Sequence, residues 1–161
     1  MNTMGNDKVL RDHLIKLIKG GEAHVDFNRT IKDFPRELRS RTKPGVEHSA
    51  WQLLEHMRIA QWDILEFSRN PMHKSPDWPR GYWPDSDAPP TFKAWDQSVK
   101  AFLADREAMC ALVADEKTDL FAKLLHGDGQ TVLREAMLVA DHNSYHLGQF
   151  VMLRKMLGLW K

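Results

Sequence analysis

Apolar residues recur every three or four positions in four segments of the chain, the spacing of a helix that buries one face. The segments cover residues 7–34, 49–70, 91–115 and 130–157. Ser49 is placed as an N-cap for the second segment, and Pro71 ends it because proline disfavours helix in the residue before it. No segment alternates like a strand. The pattern predicts an all-α protein, a four-helix bundle.

The inner faces of these helices can be read from the same spacing. Their residues are Leu10, Leu14, Leu17 and Ile31 in the first helix, Leu53, Met57, Ala60, Ile64 and Phe67 in the second, and Phe92, Trp95, Val99, Phe102, Met109 and Val113 in the third. Gly20 and Gly21 are a weak point that is expected to bend or thin the first helix. Arg106 falls on the inner face of the third, so its side chain is expected to reach outward from the edge.

The segment between the second and third helices, residues 70–90, differs in kind. It contains six of the eight prolines of the chain, and neither a helix nor a strand tolerates that density. A loop this long within a compact domain usually has a role, and a long crossover between helices is one such role. We expect it to pack on the bundle through Trp78 and Trp83.

Composition narrows the class of protein. The 161 residues suit a single domain spanning residues 1–161, and 23 basic residues against 22 acidic ones give a net charge of +1. That balance argues against a nucleic-acid partner, which needs a concentrated basic face. The one cysteine, Cys110, excludes an intrachain disulfide and is read as a small core residue, with a reactive thiol as the alternative. The polar first residues and the lack of a long apolar run predict a cytoplasmic location without membrane insertion.

Histidines carry the candidate chemistry. His142 and His146 lie four residues apart, so a helix stacks their imidazoles on one face, where both can bind one transition-metal ion. Such pairs also occur by chance as surface or core residues. His56 lies on the inner face of the second helix, where an imidazole needs a partner. A metal ion would supply one, and a backbone carbonyl or a tyrosine is the alternative.

Other polar residues are candidates for hydrogen bonds to the ligands of such an ion, or for contact with a bound substrate. His24 and Asn28 follow the inner face of the first helix, and counting helical rise places them near the depth of His56. A boundary histidine touching water is the alternative for His24. Glu55 and Asp141 flank histidines in sequence but point about 100° away on a helix. The remaining histidines fall in loops or on outer faces, and two of them precede helices and could line the rim of a site: His13, His48, His73 and His126.

Two stretches of sequence carry a resemblance to a known family. Residues 47–56, EHSAWQLLEH, contain an aromatic residue at the helix start and a single histidine. Residues 140–149, ADHNSYHLGQ, contain the histidine pair followed by Gly-Gln. In this order, with a long crossover between two pairs of helices, they resemble the DinB superfamily, which includes the YfiT-like enzymes. The resemblance extends from about residue 8 to about residue 158.

The resemblance implies an up-down-down-up bundle with the crossover between helices 2 and 3, and a metal ion held by His56, His142 and His146. It also implies homodimers that pair through helix faces, and relatives that act as thiol-dependent transferases and isomerases. Zinc or nickel is the expected ion, with iron or manganese also compatible. Three neutral imidazoles leave an open position on the ion, where water or a low-molecular-weight thiol could be activated.

We therefore expect a metal-dependent transferase or hydrolase that acts on a small molecule. A non-catalytic, metal-binding or stress-related dimeric protein is the alternative, and a helical interaction module with structural histidines is a third. Candidates for substrate contact or for support of the ligands are His24, Asn28, His48 and Tyr145. Candidates for the walls of the site are Trp51, Trp78 and Trp83.

Overall fold

The computed structural model describes residues 3–160, with side chains for residues 7–160. Its helices are α1 (Thr3–Lys19), α2 (Phe27–Ile31), α3 (Ala50–Arg69), α4 (Ala94–Ala114) and α5 (Val132–Met156). Short 3-10 turns occupy Arg36–Leu38 and Arg80–Tyr82. Across residues 3–160, β-structure is limited to two isolated bridges. The fold is all-helical, with four long helices and one short one.

The predicted continuous first helix is wrong, because the chain breaks at its two glycines. Gly20 and Gly21 have φ angles of 71° and 91°, in the left-handed region that glycine adopts without strain. The chain re-enters helix only at Asp26, whose side chain accepts from the backbone N–H of Arg29 as an N-cap. Residues beyond the break therefore do not continue the helical register of α1.

The predicted inner face of the first helix also needs correction at one position. Leu14 and Ile18 are buried, whereas Leu17 is 53% exposed. The buried face of α1 thus advances by four residues after Leu14, where a three-residue step was expected. Both steps occur on the inner faces of helices, and Ile18 offers as much apolar surface as Leu17.

The helix predicted from Ser49 is confirmed, with its start fixed by a capping box. The Ser49 hydroxyl accepts from the backbone N–H of Gln52, and the Gln52 side chain accepts from the backbone N–H of Ser49. Its C-terminal cap is Asn70, immediately before Pro71. This defined start fixes the depth of His56 in the second turn of α3.

Helix packing places the histidines between two apolar clusters. α1 contacts α4 and α5, and α3 contacts the same two helices. One cluster includes the start of α3 and the end of α5, and the other includes the end of α3 and the start of α5. His56, His142 and His146 lie near the level where the two clusters meet.

Two residues of the predicted third helix are placed differently from expectation. Arg106 does not reach outward: it is buried, with Nη2 3.4 Å from a carboxylate oxygen of Glu107. Phe92 precedes the first residue of α4 and is exposed, with the Arg36 guanidinium 3.4 Å from its ring centroid. The predicted inner face assumed that residues 91–115 form one continuous helix. It is wrong for Phe92 because Phe92 lies before α4 begins.

The crossover packs on the bundle through one of the two predicted tryptophans. Trp83 stacks on the ring of His56, whereas Trp78 is 76% exposed, so the prediction for Trp78 is wrong. The second anchor is Tyr82, whose hydroxyl donates to Asp63 of α3 at 2.6 Å. None of the helices described here is long and apolar enough to cross a membrane.

Candidate metal centre

Two helices present the three histidines to one another. His142 and His146 are one turn apart in the middle of α5, and His56 faces them from α3. The Nε2 atom of His56 lies 3.0 Å from Nε2 of His146 and 3.0 Å from Nε2 of His142. Each of the three offers one ring nitrogen to a group that spans less than 4.8 Å. The structure thus brings together the three histidines that the sequence singled out.

In His56 and His146, the partner of the other ring nitrogen fixes which atom carries the proton. Nδ1 of His56 lies 2.9 Å from the backbone carbonyl of Tyr82, and Nδ1 of His146 lies 2.9 Å from Oε1 of Gln149. A carbonyl oxygen can only accept, so each Nδ1 must donate a proton. Because neutral imidazole has only one ring proton, Nε2 of both rings presents a bare lone pair.

These lone pairs face each other across 3.0 Å between His56 and His146. Two acceptors at that distance repel unless a cation or a proton lies between them. Around a tetrahedral zinc ion with Zn–N bonds of about 2.0–2.1 Å, ligand nitrogens are separated by about 3.3 Å. The spacing and the tautomers of these histidines therefore fit a divalent transition metal.

The protonation state of the group agrees with this chemistry. Burial lowers the pKa of His56 to about 4. Burial, followed by the charges of the neighbouring histidines, lowers the pKa of His142 to about 3. The pKa of His146 is also lowered, chiefly by burial. At neutral pH all three imidazoles are neutral, which is the form that binds metal.

Hydrogen bonds from Nδ1 hold the rings of His56 and His146 in place. Nδ1 bonds of this kind orient metal-binding histidines in proteins. The Tyr82 carbonyl that accepts from His56 belongs to the crossover, which is anchored to α3 through Asp63. That buried carboxylate accepts from the Tyr82 hydroxyl at 2.6 Å and from Nε2 of His73 at 2.7 Å. Burial, and then the bond to Asp63, raises the pKa of Tyr82 to about 12, so the phenol remains a donor.

Sequence reasoning missed these supporting residues. Gln149 lies three residues after His146, on the same side of α5, and that spacing could have identified it. Asp63 is an acidic residue seven positions after His56, and a carboxylate on an otherwise buried face is a recognisable signal. No sequence signal identifies the Tyr82 carbonyl, because it is a backbone group positioned by a loop.

Beside the histidines lies a cavity of about 590 Å³. His146 borders it, as do two of the predicted contact residues, His48 and Tyr145. Trp83 forms another part of its wall and stacks on both His56 and His48, with ring centroids 3.8 Å and 3.9 Å apart. Trp83 thereby shields one face of the His56 imidazole from water.

The other candidates lie elsewhere. His24 is exposed, with Nε2 3.1 Å from the Ser144 hydroxyl, because the break at the glycines removes it from the depth expected of a continuous helix. Asn28 lines a separate, open depression near Phe34 and Trp95. Neither borders the cavity at His146. Trp51 was a candidate for the wall and is instead buried in the apolar core.

The remaining chemistry-bearing residues have other contacts. Glu55 pairs with Arg58 at 2.9 Å, and Nε2 of His126 donates to the Phe67 carbonyl at 2.7 Å. Asp141 is exposed on α5. Cys110 is buried in the apolar cluster, and burial raises the pKa of its thiol, which disfavours the reactive thiolate.

Comparison with known proteins gives one match. A family model described as the DinB superfamily matches residues 22–150, most of the chain, including all three clustered histidines. No curated protein and no solved structure matches the chain. The match covers both sequence stretches that carried the resemblance, all of α3, and α5 as far as residue 150. The chain therefore belongs to the DinB superfamily.

Proposed function

We propose that this protein is a divalent-metal-dependent enzyme, a transferase or hydrolase acting on a small molecule, with His56, His142 and His146 as the metal ligands. One observation carries the metal site: two imidazoles whose protons are committed to Nδ1 present opposed Nε2 lone pairs 3.0 Å apart. Zinc or nickel is the proposed ion, since both accept imidazole nitrogen.

The rest of the site supports an enzyme over a purely structural centre. A closed structural zinc site has four protein ligands, whereas this group comprises three histidines. A cavity of about 590 Å³ borders His146, so a small molecule has room to reach the ion. A bound divalent ion would act as a Lewis acid and lower the pKa of a water or thiol placed in its open position.

The residues of the chain have separate tasks in this proposal. Tyr82 and Gln149 hold the rings of His56 and His146 in the binding tautomer. Trp83 covers His56 and limits water around it. His48 and Tyr145 line the cavity, where a ring nitrogen and a phenol can hold or transfer a proton of the substrate.

We further propose the up-down-down-up arrangement within one domain. Along α3 and α4, residues of the cluster containing Phe102 precede those of the cluster containing Met109. Along α5 the order is reversed, and α1 belongs to the second cluster, whereas the following α2 belongs to the first. This order supports parallel α3 and α4, flanked by helices of opposite direction. The homodimer and the cytoplasmic location remain predictions from sequence.

An activity screen tests the enzyme proposal. Protein without a histidine tag is stripped of metal, reloaded with zinc or nickel, and assayed with small thiols plus 1-chloro-2,4-dinitrobenzene and with activated esters. We expect turnover that requires the metal and is lost in His142→Ala. Stoichiometric metal binding without turnover in any assay would favour the non-catalytic alternative, and equal rates with and without metal would contradict the proposal.

A further inference from the structure

The cavity beside His146 has three walls that differ in origin. The loop before α3, together with Leu53 of α3, contributes one, α5 contributes the second, and Trp83 of the crossover contributes the third. Besides Trp83, the side chains that matter most for its chemistry are Glu47, His48, Gln149, Met152 and Met156. At about 590 Å³ the cavity is within the range of small-molecule sites.

The lining has a distinct chemistry. Its apolar and aromatic members outnumber its polar ones, and neither lysine nor arginine borders it among the described residues. Glu47 is the one carboxylate of the lining. The side chains of the lining offer an anionic molecule no cation, and Glu47 would repel it, so any attraction of an anion to this place would come from a bound metal ion. An uncharged molecule would lose little hydration free energy when it moves from water into this cavity. The flexible side chains of Met152 and Met156 can adapt to its shape.

Gly148 leaves space beside the cavity, although α5 itself does not require a glycine at this position. It lies in the interior of α5, where glycine is a poor helix former. A Cβ built on Gly148 would meet no atom within 4 Å, so neighbouring side chains do not exclude a larger residue. The structural consequence of glycine here is therefore a wider cavity close to His146.

We propose that this cavity binds the uncharged, apolar body of the enzyme's small-molecule substrate, and that its lining discriminates against molecules whose body carries a negative charge. The inference rests on the proposed function, since it places the reactive group of the same molecule at the metal site. His48 and Gln149 supply polar contacts at the end of the cavity near His146, and the apolar residues of the loop and α5 hold the body.

A pair of fluorescent probes tests the charge preference. N-phenyl-1-naphthylamine is neutral, and 8-anilinonaphthalene-1-sulfonate has the same ring system with an added sulfonate. Titrated into metal-free protein, where the charge of the ion does not contribute, the neutral probe is expected to bind at least tenfold more tightly than the sulfonate. Equal or tighter binding of the sulfonate would overturn the proposal.

Matched variants locate the binding. Gly148→Leu should fill the cavity and weaken the neutral probe at least tenfold, whereas Gly148→Ala should have a smaller effect. Met152→Lys replaces a side chain that is 53% exposed and should shift the preference toward the sulfonate. Circular dichroism of each variant confirms folding. Unchanged probe binding in both folded variants, Gly148→Leu and Met152→Lys, would contradict the assignment.

Metal stoichiometry, measured on portions of the same samples after zinc is supplied, separates the two proposals. If zinc fails to bind while the neutral probe binds and responds to Gly148→Leu, the proposed metal enzyme fails and the cavity assignment stands. If zinc binds and the probes do not discriminate, the cavity assignment fails and the metal site stands.

Discussion

Nε2 of His56 lies 3.0 Å from Nε2 of His146, although the two residues are 90 positions apart in the chain. Each ring donates its only proton in the other direction, to the Tyr82 carbonyl and to Gln149. The bundle therefore holds two acceptor atoms against each other, an arrangement that a bound cation stabilises.

Metal removal should destabilise the protein, because the ion links α3 to α5. A ligand present at 100 times its Kd adds about 2.7 kcal/mol to the free energy of unfolding. For a domain of this size that corresponds to a Tm rise of roughly 5–10 °C. Calorimetry of zinc-loaded and metal-free protein measures it, and an identical Tm in both samples would speak against a link between the helices.

Gln149 should tune the affinity for metal. Gln149→Ala removes the acceptor that keeps the proton of His146 on Nδ1, and losses of such supporting contacts typically weaken metal binding by about 10- to 100-fold. Gln149→Glu keeps an acceptor and should retain most of the affinity. Isothermal titration with zinc compares the two variants. Equal affinities for Gln149→Ala and the wild type would show that this bond does not orient the ligand.

Tyr82→Phe should loosen the crossover. The substitution removes the hydroxyl that donates to Asp63 and leaves a buried carboxylate oxygen without that partner, at a cost of about 1–3 kcal/mol. The backbone carbonyl that orients His56 should then be held less firmly, so zinc affinity falls as well. Limited proteolysis within residues 70–90 and zinc titration report the two effects.

Trp78→Phe is the control, because Trp78 is 76% exposed and should tolerate the change. Cleavage of Tyr82→Phe no faster than that of the wild type would contradict the anchoring role of Tyr82.

The metal-free protein should lose stability as the pH falls below about 6.5, the pKa of histidine in an unfolded chain. The folded protein lowers the pKa of His56 to about 4 and that of His142 to about 3. Between those values and 6.5 the unfolded chain binds protons that the folded chain does not, so acidification favours unfolding. Each group contributes a slope of up to about 1.4 kcal/mol per pH unit.

Urea unfolding of metal-free protein at pH 7, 6 and 5 measures this slope. His142→Asn removes one of the histidines whose pKa is lowered and should give a shallower slope than the wild type. A free energy of unfolding that stays constant or rises on acidification would contradict the burial of neutral imidazoles.

Sequence periodicity was sufficient where local signals and packing agree. α3 begins directly after Ser49, the N-cap that the sequence predicted, and the structure adds Gln52 as the second member of a capping box. Periodicity failed at Gly20 and Gly21, because a double glycine can bend a helix or end it, and local sequence does not decide between them. The prediction that Trp78 packs on the bundle failed for another reason: the course of a proline-rich loop depends on contacts far away in sequence, such as the bond between Tyr82 and Asp63.

The candidate site was only partly predictable for a related reason. His142 and His146 are close through helical spacing alone, whereas the approach of His56 depends on how two helices pack. His24 was expected at the same depth on the assumption of one continuous helix, and the break before it invalidates that count. Gln149 follows from spacing in retrospect, but the Tyr82 carbonyl could be identified only from the folded chain.

Zinc binding to the histidine variants tests the central claim most directly. The wild type, without a histidine tag, is expected to bind one zinc or nickel ion per chain at pH 7, by metal analysis and by isothermal titration. His56→Ala, His142→Ala and His146→Ala should each lose that binding, whereas His13→Ala, a change at an exposed histidine of α1, should keep it. Binding by all three variants equal to that of the wild type, or no binding by the wild type when zinc and nickel are supplied, would contradict the proposed metal site.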